Sequence, residues 1–413
     1  MSERGQRELV SAVSDAGPAN RSTRGNNLDS IRQHNLSTVL GLVHRFGPIS
    51  RSDLTRRTAL NRSTIAALVG ELVERRLVIE SEPGASNRVG RPSPVVGANP
   101  GVVAIAINPE IDAVTVGLVG LDGIVTRRTR YATAGIPTAA EAVTLARAAI
   151  DELRPQLEVS VRVIGIGVAI PGLVREVDGL VRLAPHLAWI DEPFARLLQE
   201  SVGMPVSVSN DANLGANAER IYGAGRAASD LVYLNGGASG IGAGVVSGGV
   251  PLAGFSGYAG ELGHTLVNSA GVRCHCGAIG CLETEVNRHA LLTVLGLDSA
   301  DDDELDRALA ASDSASVAAE IERQLVFLAV AVRNATNIFN PQLIVLGGFL
   351  GAIMGAAPGR LEQLVSDSAL GASAESLRIV RAQLGSNLLM VGAAELAFAA
   401  LLADPAAVTG SAE

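Results

Sequence analysis

Val163-Ile164-Gly165-Ile166-Gly167-Val168-Ala169-Ile170-Pro171-Gly172 is the stretch on which the reading of the fold turns. Its apolar run predicts a buried strand over 163–169, and Pro171-Gly172 ends it in a tight turn. Upstream, Val102–Ile107 and Ala113–Val119 read as two more apolar strands joined by a short turn. Leu121-Asp122-Gly123 forms the next turn, and Ala139–Leu153 has a helical pattern. Downstream, the strand signals Pro205–Ser209 and Leu343–Leu346 flank a long Ala-rich helical pattern around Ile321–Phe339. Strands alternating with helices predict an α/β body. No fixed-period repeat interrupts it.

The chain ahead of residue 101 has a different texture. Residues 1–27 are polar and aperiodic, which predicts a disordered tail without the apolar core of a secretory signal. Leu36, Val39, Leu40 and Val43 then recur at helical spacing and stop near Gly47-Pro48. Ser50 is placed to cap the amide of Asp53 in a short second helix ending near Ala59. Asn61 caps a third helix, with Ile65, Leu68, Val69 and Leu72 on one face. A strand signal, Leu77–Glu80, and a Gly/Pro/Ser-rich stretch from Glu82 to Pro94 follow.

Three helices, a strand and a glycine-rich loop describe a winged helix-turn-helix over residues 28–82, with wing and linker over 83–100. Ser63, Thr64 and Ala67 face away from the apolar side of the third helix, where they suit base edges in a major groove. Arg51, Arg56, Arg57 and Arg62 suit phosphates. Arg88 and Arg91 in the wing suit a minor groove. A helical trio also serves as a dimerisation or docking module, and charge favours DNA. Residues 21–99 carry 12 Arg against 6 Asp and Glu, whereas the whole chain has net charge -9. A basic block ahead of an acidic body predicts a polyanion partner, double-stranded operator DNA, for the N-terminal part.

With 413 residues the chain is long enough for two or three units. At 47% hydrophobic and 3% aromatic, its core must be packed by aliphatic side chains and alanine. All 33 basic residues are Arg, so no lysine is available to bind phosphate. No uninterrupted apolar run has the length of a membrane span, and the expected location is the cytoplasm, without a membrane partner. Cys274, Cys276 and Cys281 are the only cysteines. Two cysteines one residue apart would make a strained disulfide. Their thiolates can turn towards a metal instead, with Gly277 and Gly280 permitting the bend. A histidine completes a closed tetrahedral zinc site, and His275 lies inside the loop itself.

From about Val102 to Ala400 the ordered motifs resemble the ROK family, which groups sugar-responsive repressors with sugar kinases. They are Gly167–Gly172, Leu183-Ala184-Pro185-His186-Leu187 with Trp189, Asn210-Asp211-Ala212-Asn213, Glu261-Leu262-Gly263-His264, and Cys274 through Glu283. The resemblance implies an actin-like, ribonuclease-H-like body of two α/β lobes, here 101–220 and 221–400, with the last helix returning to the first lobe and a tail over 401–413. It implies sugar contacts from Gly172, Asn210, Asp211, Glu261, His264 and Glu283. It also implies His264 as the fourth ligand of a structural zinc held by Cys274, Cys276 and Cys281, with His275 as the alternative. The family's repressor branch carries a winged helix-turn-helix in front.

One departure bears on activity. ROK kinases open their body with an Asp-x-Gly-Gly-Thr turn at the ATP phosphates, and this chain has Asn108-Pro109-Glu110-Ile111-Asp112 there. The glycines that allow close backbone approach are gone, Pro109 removes an amide donor, and two carboxylates stand where phosphates would. Ala238–Gly244 and Asn340-Pro341 with Gly347-Gly348 survive as glycine-rich turns. The reading is therefore a DNA-binding regulator of carbohydrate genes, a repressor more readily than an activator. It would form a homodimer or dimer of dimers, respond to a sugar or sugar phosphate, need no ATP and catalyse nothing, with lobe closure transmitted through residues 82–100. A ROK sugar kinase that also binds DNA is the alternative, and a regulator answering to a protein partner is a third.

Overall fold

The computed structural model describes residues 28–82, 93–157, 160–237 and 239–407. The N-terminal tail, Arg88, Arg91 and Ala238 lie outside the described residues.

The N-terminal unit comprises α1 (Leu28–Phe46), β1 (Ile49–Ser50), α2 (Arg51–Thr58), α3 (Arg62–Glu74), β2 (Val78–Ser81) and β3 (Val95–Ala98). Local chemistry sets its corners. The Ser50 side chain accepts from the Asp53 amide and the Asn61 side chain from the Thr64 amide, starting α2 and α3 as the sequence predicts. Between them, Ala59 adopts a left-handed conformation that turns the chain. The three strands pair antiparallel in the order β1-β3-β2. Residues 95–98, within the expected wing and linker, thus supply the central strand of this sheet.

The body holds two five-stranded sheets of similar plan. In the first lobe β4 (Val102–Pro109), β5 (Ala113–Gly120) and β6 (Val125–Ala132) form an antiparallel meander. β7 (Arg162–Ile170) and β11 (Val206–Asn210) add in parallel, giving the order β11-β7-β4-β5-β6. α4 (Ala139–Leu153) and α5 (Phe194–Val202) cover one face. β8 (Leu173–Arg175), β9 (Leu180–Ala184) and β10 (Trp189–Glu192) make a small separate sheet. Trp189 belongs to this lobe's core, stacked on Phe194 with its indole donating to the Pro137 carbonyl.

α6 (Asp211–Tyr222) leads into the second lobe. There β12 (Leu231–Gly237), β13 (Gly240–Ser247) and β14 (Val250–Pro251) are antiparallel, and β15 (Leu343–Gly348) and β16 (Arg378–Arg381) extend β12 in parallel. Its helices are α7 (Leu282–Glu285), α8 (Arg288–Leu295), α9 (Asp302–Ala310), α10 (Ala315–Phe339), α11 (Phe349–Ala356), α12 (Arg360–Ser366) and α13 (Gly371–Ala374).

α14 (Leu388–Ala403) packs against β4, β7 and α6. Among the described residues, the segment Gly385–Ala403 is the one helix apolar and long enough to cross a membrane, although Ser386, Asn387 and Glu395 interrupt its apolar run. Half of it is buried in the protein, so packing accounts for its apolarity.

One hydrophobic core runs through both units. Leu36, Val39, Leu40, Leu54 and Val69 of the N-terminal unit share it with Val102, Val119, Met390, Ala394 and Phe398 of the body. The Ser37 hydroxyl also donates to the Leu402 carbonyl at 2.6 Å. The helical unit is thus seated on the body rather than tethered to it.

Candidate functional site

β13 organises the cleft because three other segments close on it where glycines, two of its own and one of the Glu261–His264 turn, leave room. A Cβ at Gly242 would lie 2.8 Å from the Ala212 side chain, next to Asp211. One at Gly240 would meet a Glu283 carboxylate oxygen at 2.6 Å, and one at Gly263 would strike the Ile241 carbonyl at 1.9 Å, beside Glu261 and His264. Asp211, Glu261, His264 and Glu283 are thereby brought together.

Asp211 opens α6 and its side chain accepts from the Ala212 amide at 2.7 Å. Burial, with the nearby Glu261 adding to it, pushes its carboxyl up to about 7. Asn210 is committed locally: its oxygen caps the Asn213 amide, and its nitrogen donates to the Gly172 carbonyl at 3.0 Å. Gly172 sits where a Cβ would lie 2.3 Å from the Leu183 carbonyl. Both residues therefore build the turn beneath Asp211.

The cysteine loop folds back on the Glu261–His264 turn. One ligand atom from each of His264, Cys274, Cys276 and Cys281 lies within 4.8 Å of the others. The Cys276 and Cys281 sulfurs are 3.6 Å apart, as are the Cys274 sulfur and His264 Nδ1. In a tetrahedral zinc site with Zn–S near 2.3 Å and Zn–N near 2.0 Å, sulfurs lie about 3.8 Å apart and a sulfur and nitrogen about 3.6 Å apart, so these donors fit that ion. A second set, His264, Cys274, His275 and Glu283, meets the same limit and shares two members with the first. Glu283 Oε1 accepts from the Cys274 thiol at 2.9 Å and lies 3.0 Å from His275 Nδ1.

The Asn108–Asp112 turn is a closed hairpin. The Glu110 amide donates to the Ala113 carbonyl, Asn108 and Thr115 donate to the Glu110 carboxylate, and Arg130 bridges Glu110 and Asp112. Carboxylates occupy the turn, with one arginine offsetting part of their charge. The surviving glycines have packing reasons: a Cβ at Gly348 would lie 2.0 Å from the Gly236 carbonyl, and one at Gly347 would lie 2.4 Å from the Tyr233 hydroxyl.

On the N-terminal unit, Ser63 and Ala67 are exposed on α3 and Thr64 is half-buried, while Ile65, Leu68, Val69 and Leu72 are buried. Arg62 is exposed. Arg57 is held over the Phe46 ring at 4.1 Å. Arg51 is clasped by Glu80 through two hydrogen bonds and Arg56 pairs with Asp53, so both have carboxylate partners already.

Sequence spacing gave no sign of the junction between the units. His44 of α1 and Glu395 of α14 are buried there with 2.9 Å between Nε2 and Oε2, and His44 Nδ1 lies 2.6 Å from the Leu121 carbonyl. Tyr222, at the far end of α6 from Asp211, donates to Glu395 at 3.2 Å. These partners are 351, 77 and 173 residues apart, which no local pattern reveals.

A helix-turn-helix seated on a two-lobed, kinase-like body defines the class: the fold of a one-chain transcriptional regulator. The chain belongs to the ROK family, whose description matches residues 105–400. It is 28% identical over 398 residues to the xylose repressor of Caldicellulosiruptor bescii, covering 91% of this chain and 98% of that one. A crystal structure of a ROK family transcriptional regulator, homologous to the E. coli MLC protein, matches with TM-score 0.74 and 28% identity, covering 90% of this chain and 97% of that chain. The ROK hexokinase from Thermus thermophilus matches with TM-score 0.58 and 27% identity, covering 72% of this chain and 99% of that one.

Proposed function

We propose that this protein is a zinc-containing, sugar-responsive transcriptional repressor, acting in the cytoplasm as a homodimer. The observation that carries this reading is the shared core, which fixes the reading helix to a body whose cleft gathers Asp211, Glu261, His264 and Glu283. Carboxylates held in a concave site suit paired sugar hydroxyls. Ser63, Thr64 and Ala67 would face bases, and Arg57 and Arg62 would meet phosphates, with Arg88 and Arg91 serving the wing. Arg51, held by Glu80, has the weakest claim among the predicted phosphate contacts.

α6 connects the two ends, with Asp211 at its start and Tyr222 at its finish against the α1 junction. A sugar closing the lobes would move α6, and the two recognition helices of a dimer would lose their spacing on the operator. This packed route runs beside the linker.

Fluorescence anisotropy on labelled operator DNA tests the reading. One sugar in a panel is expected to release the DNA, and Asp211→Asn is expected to remove that response while leaving sugar-free DNA binding intact. Arg62→Ala should weaken binding across all sequences and lower the salt slope by about 1. Affinity indifferent to every sugar would overturn the proposal.

The hairpin at Asn108–Asp112 and the packing role of the remaining glycines support a protein without kinase activity. Sugar-dependent ATP turnover abolished by Asp211→Asn would establish the opposite.

A further inference from the structure

The cysteine cluster has a buried side and an exposed one. Cys274 and Cys281 are buried, and Cys276 alone of the chain's three cysteines is exposed to solvent. From Cys276 the chain reaches Cys281 through Gly277, Ala278, Ile279 and Gly280. Gly277 and Gly280 hold positive φ, 94° and 73°, and a Cβ at Gly277 would meet nothing within 4 Å. Ala278 and Ile279 are exposed. The outer part of this loop thus stands in solvent, where a small solute reaches the Cys276 sulfur. Its inner side belongs to the cleft: His275 and Glu283, just outside the loop at either end, line a cavity of about 270 Å³ together with His186, Arg288 and His289.

The chain has no fourth cysteine, so an oxidised Cys276 has two possible partners within it. Cys274 is one residue away, a separation that strains a disulfide. Its sulfur also faces elsewhere, 2.9 Å from Glu283 Oε1 and 3.6 Å from His264 Nδ1. The Cys281 sulfur lies 3.6 Å from that of Cys276, across four intervening residues. Bringing these two sulfurs to disulfide length takes a shift of about 1.5 Å, which an exposed loop with a glycine at each end accommodates.

We propose that Cys276 and Cys281 are a peroxide-reactive pair whose oxidation empties the cluster of zinc and disables the response to sugar. The proposal rests on the reading of this protein as a zinc-containing sugar sensor. The Cys276 thiolate attacks hydrogen peroxide: a sulfur–oxygen bond forms, the oxygen–oxygen bond breaks, and the departing hydroxide takes a proton from solvent. The Cys281 thiolate then attacks the sulfenic sulfur. The sulfur–sulfur bond forms as the sulfur–oxygen bond breaks, and the second hydroxide takes another proton. Two thiolates are thereby oxidised to one disulfide, and one peroxide is reduced to two waters. Cys274 and His264 remain, two donors where a closed zinc site needs four. Glu283 lies two residues beyond Cys281 and Glu261 three before His264, so both cleft carboxylates lose the support behind them. The core that seats the helical unit contains none of these residues. The oxidised protein therefore keeps its operator and no longer yields it to sugar.

Hydrogen peroxide added to the zinc-loaded full-length protein tests this. Zinc release is followed with a chromogenic chelator, and remaining thiols are alkylated and mapped by mass spectrometry. About one zinc per chain should leave as two of the three thiols disappear. All three cysteines lie in one tryptic peptide between Arg273 and Arg288, and the one still alkylated should be Cys274. Dithiothreitol with added zinc should reverse every change. Labelled operator DNA should stay bound, and the sugar concentration that frees it should rise at least about tenfold. Cys276→Ser should leave the two buried thiols unreactive, and the wild-type map decides the matter where that variant fails to fold. Three intact thiols with zinc retained, alkylation at Cys276 or Cys281, sulfinate without a bond, or chains joined to one another overturns the pair. A bond formed with sugar release unimpaired overturns its link to sensing. Protein that carries no zinc before peroxide is added removes the zinc reading, and operator that no sugar frees from the reduced protein removes the sensor reading. In either case the alkylation map still accepts or rejects the pair.

Discussion

Cys281→Ser is expected to abolish zinc binding and, with it, the response to sugar. Cys281 is buried, its sulfur 3.6 Å from that of Cys276, and the same residue precedes Leu282 at the start of α7, which carries Glu283. His264, at the other end of the cluster, follows the Glu261 turn. A metal joining these residues would fix both carboxylates from behind. Losing an outer-shell partner typically costs about 10–100-fold in metal affinity or activity, and losing a ligand should cost more. Metal content by mass spectrometry should fall from about one zinc per chain to almost none, and effector affinity should fall at least tenfold. His275→Ala separates the two donor sets. It should leave zinc bound if Cys276 and Cys281 are ligands and should strip it if His275 and Glu283 are. Sugar release of DNA that survives Cys281→Ser with no metal bound would show that the cluster does not support the site.

The features legible in the sequence share a physical cause, which is that their partners lie close along the chain. Ser50 with Asp53, Asn61 with Thr64, and three cysteines within eight residues are local arrangements, and each folds as its spacing implies. The buried strands around Val102, Ala113 and Val163 were readable from apolar runs. β6 was not, because Val125–Ala132 carries Arg127, Arg128 and Arg130 and is exposed along most of its length. It is a strand because β5 offers it an edge, which outweighs its composition. The cavity at His186, Arg288 and His289 was hidden for a different reason. It is assembled from two lobes, and Arg288 and His289 belong to no motif that the sequence displays. Asn210 was legible only in part, since its oxygen and one N–H build the turn while the second N–H is left for the ligand role its motif implies.

Breaking the His44–Glu395 pair from either side is expected to cost about 3–5 kcal/mol, because each single change leaves a buried polar or charged partner uncompensated. Both side chains are under 5% exposed. Two acceptors face the imidazole, the Leu121 carbonyl and the Glu395 carboxylate, so both ring nitrogens must donate and the ring carries its second proton. Burial opposes that charge, but the charge and hydrogen bond of Glu395, with smaller help from Leu121 and Asp122, raise the His44 pKa above its ordinary 6.5. The other groups around the pair are Tyr222, which donates to Glu395, Arg220, which feels both Arg45 and Glu395, and Arg226, which acts on Tyr222. The pair's stabilisation is therefore complete below about pH 6.5 and lost as pH rises through the raised folded-state value. Thermal melts from about pH 6 to about pH 9 should show wild-type stability falling on the alkaline side relative to Glu395→Gln, whose own curve should be flatter. His44→Leu with Glu395→Leu should recover most or all of the loss of either single variant, since an apolar pair of similar volume suits a buried site. That double variant carries the functional point. If α1 responds to the cleft through Tyr222 and this pair, the protein should fold, bind operator and bind sugar, yet release DNA poorly when sugar is added. Full sugar release in the stable double variant would show that the signal leaves the body by the linker alone.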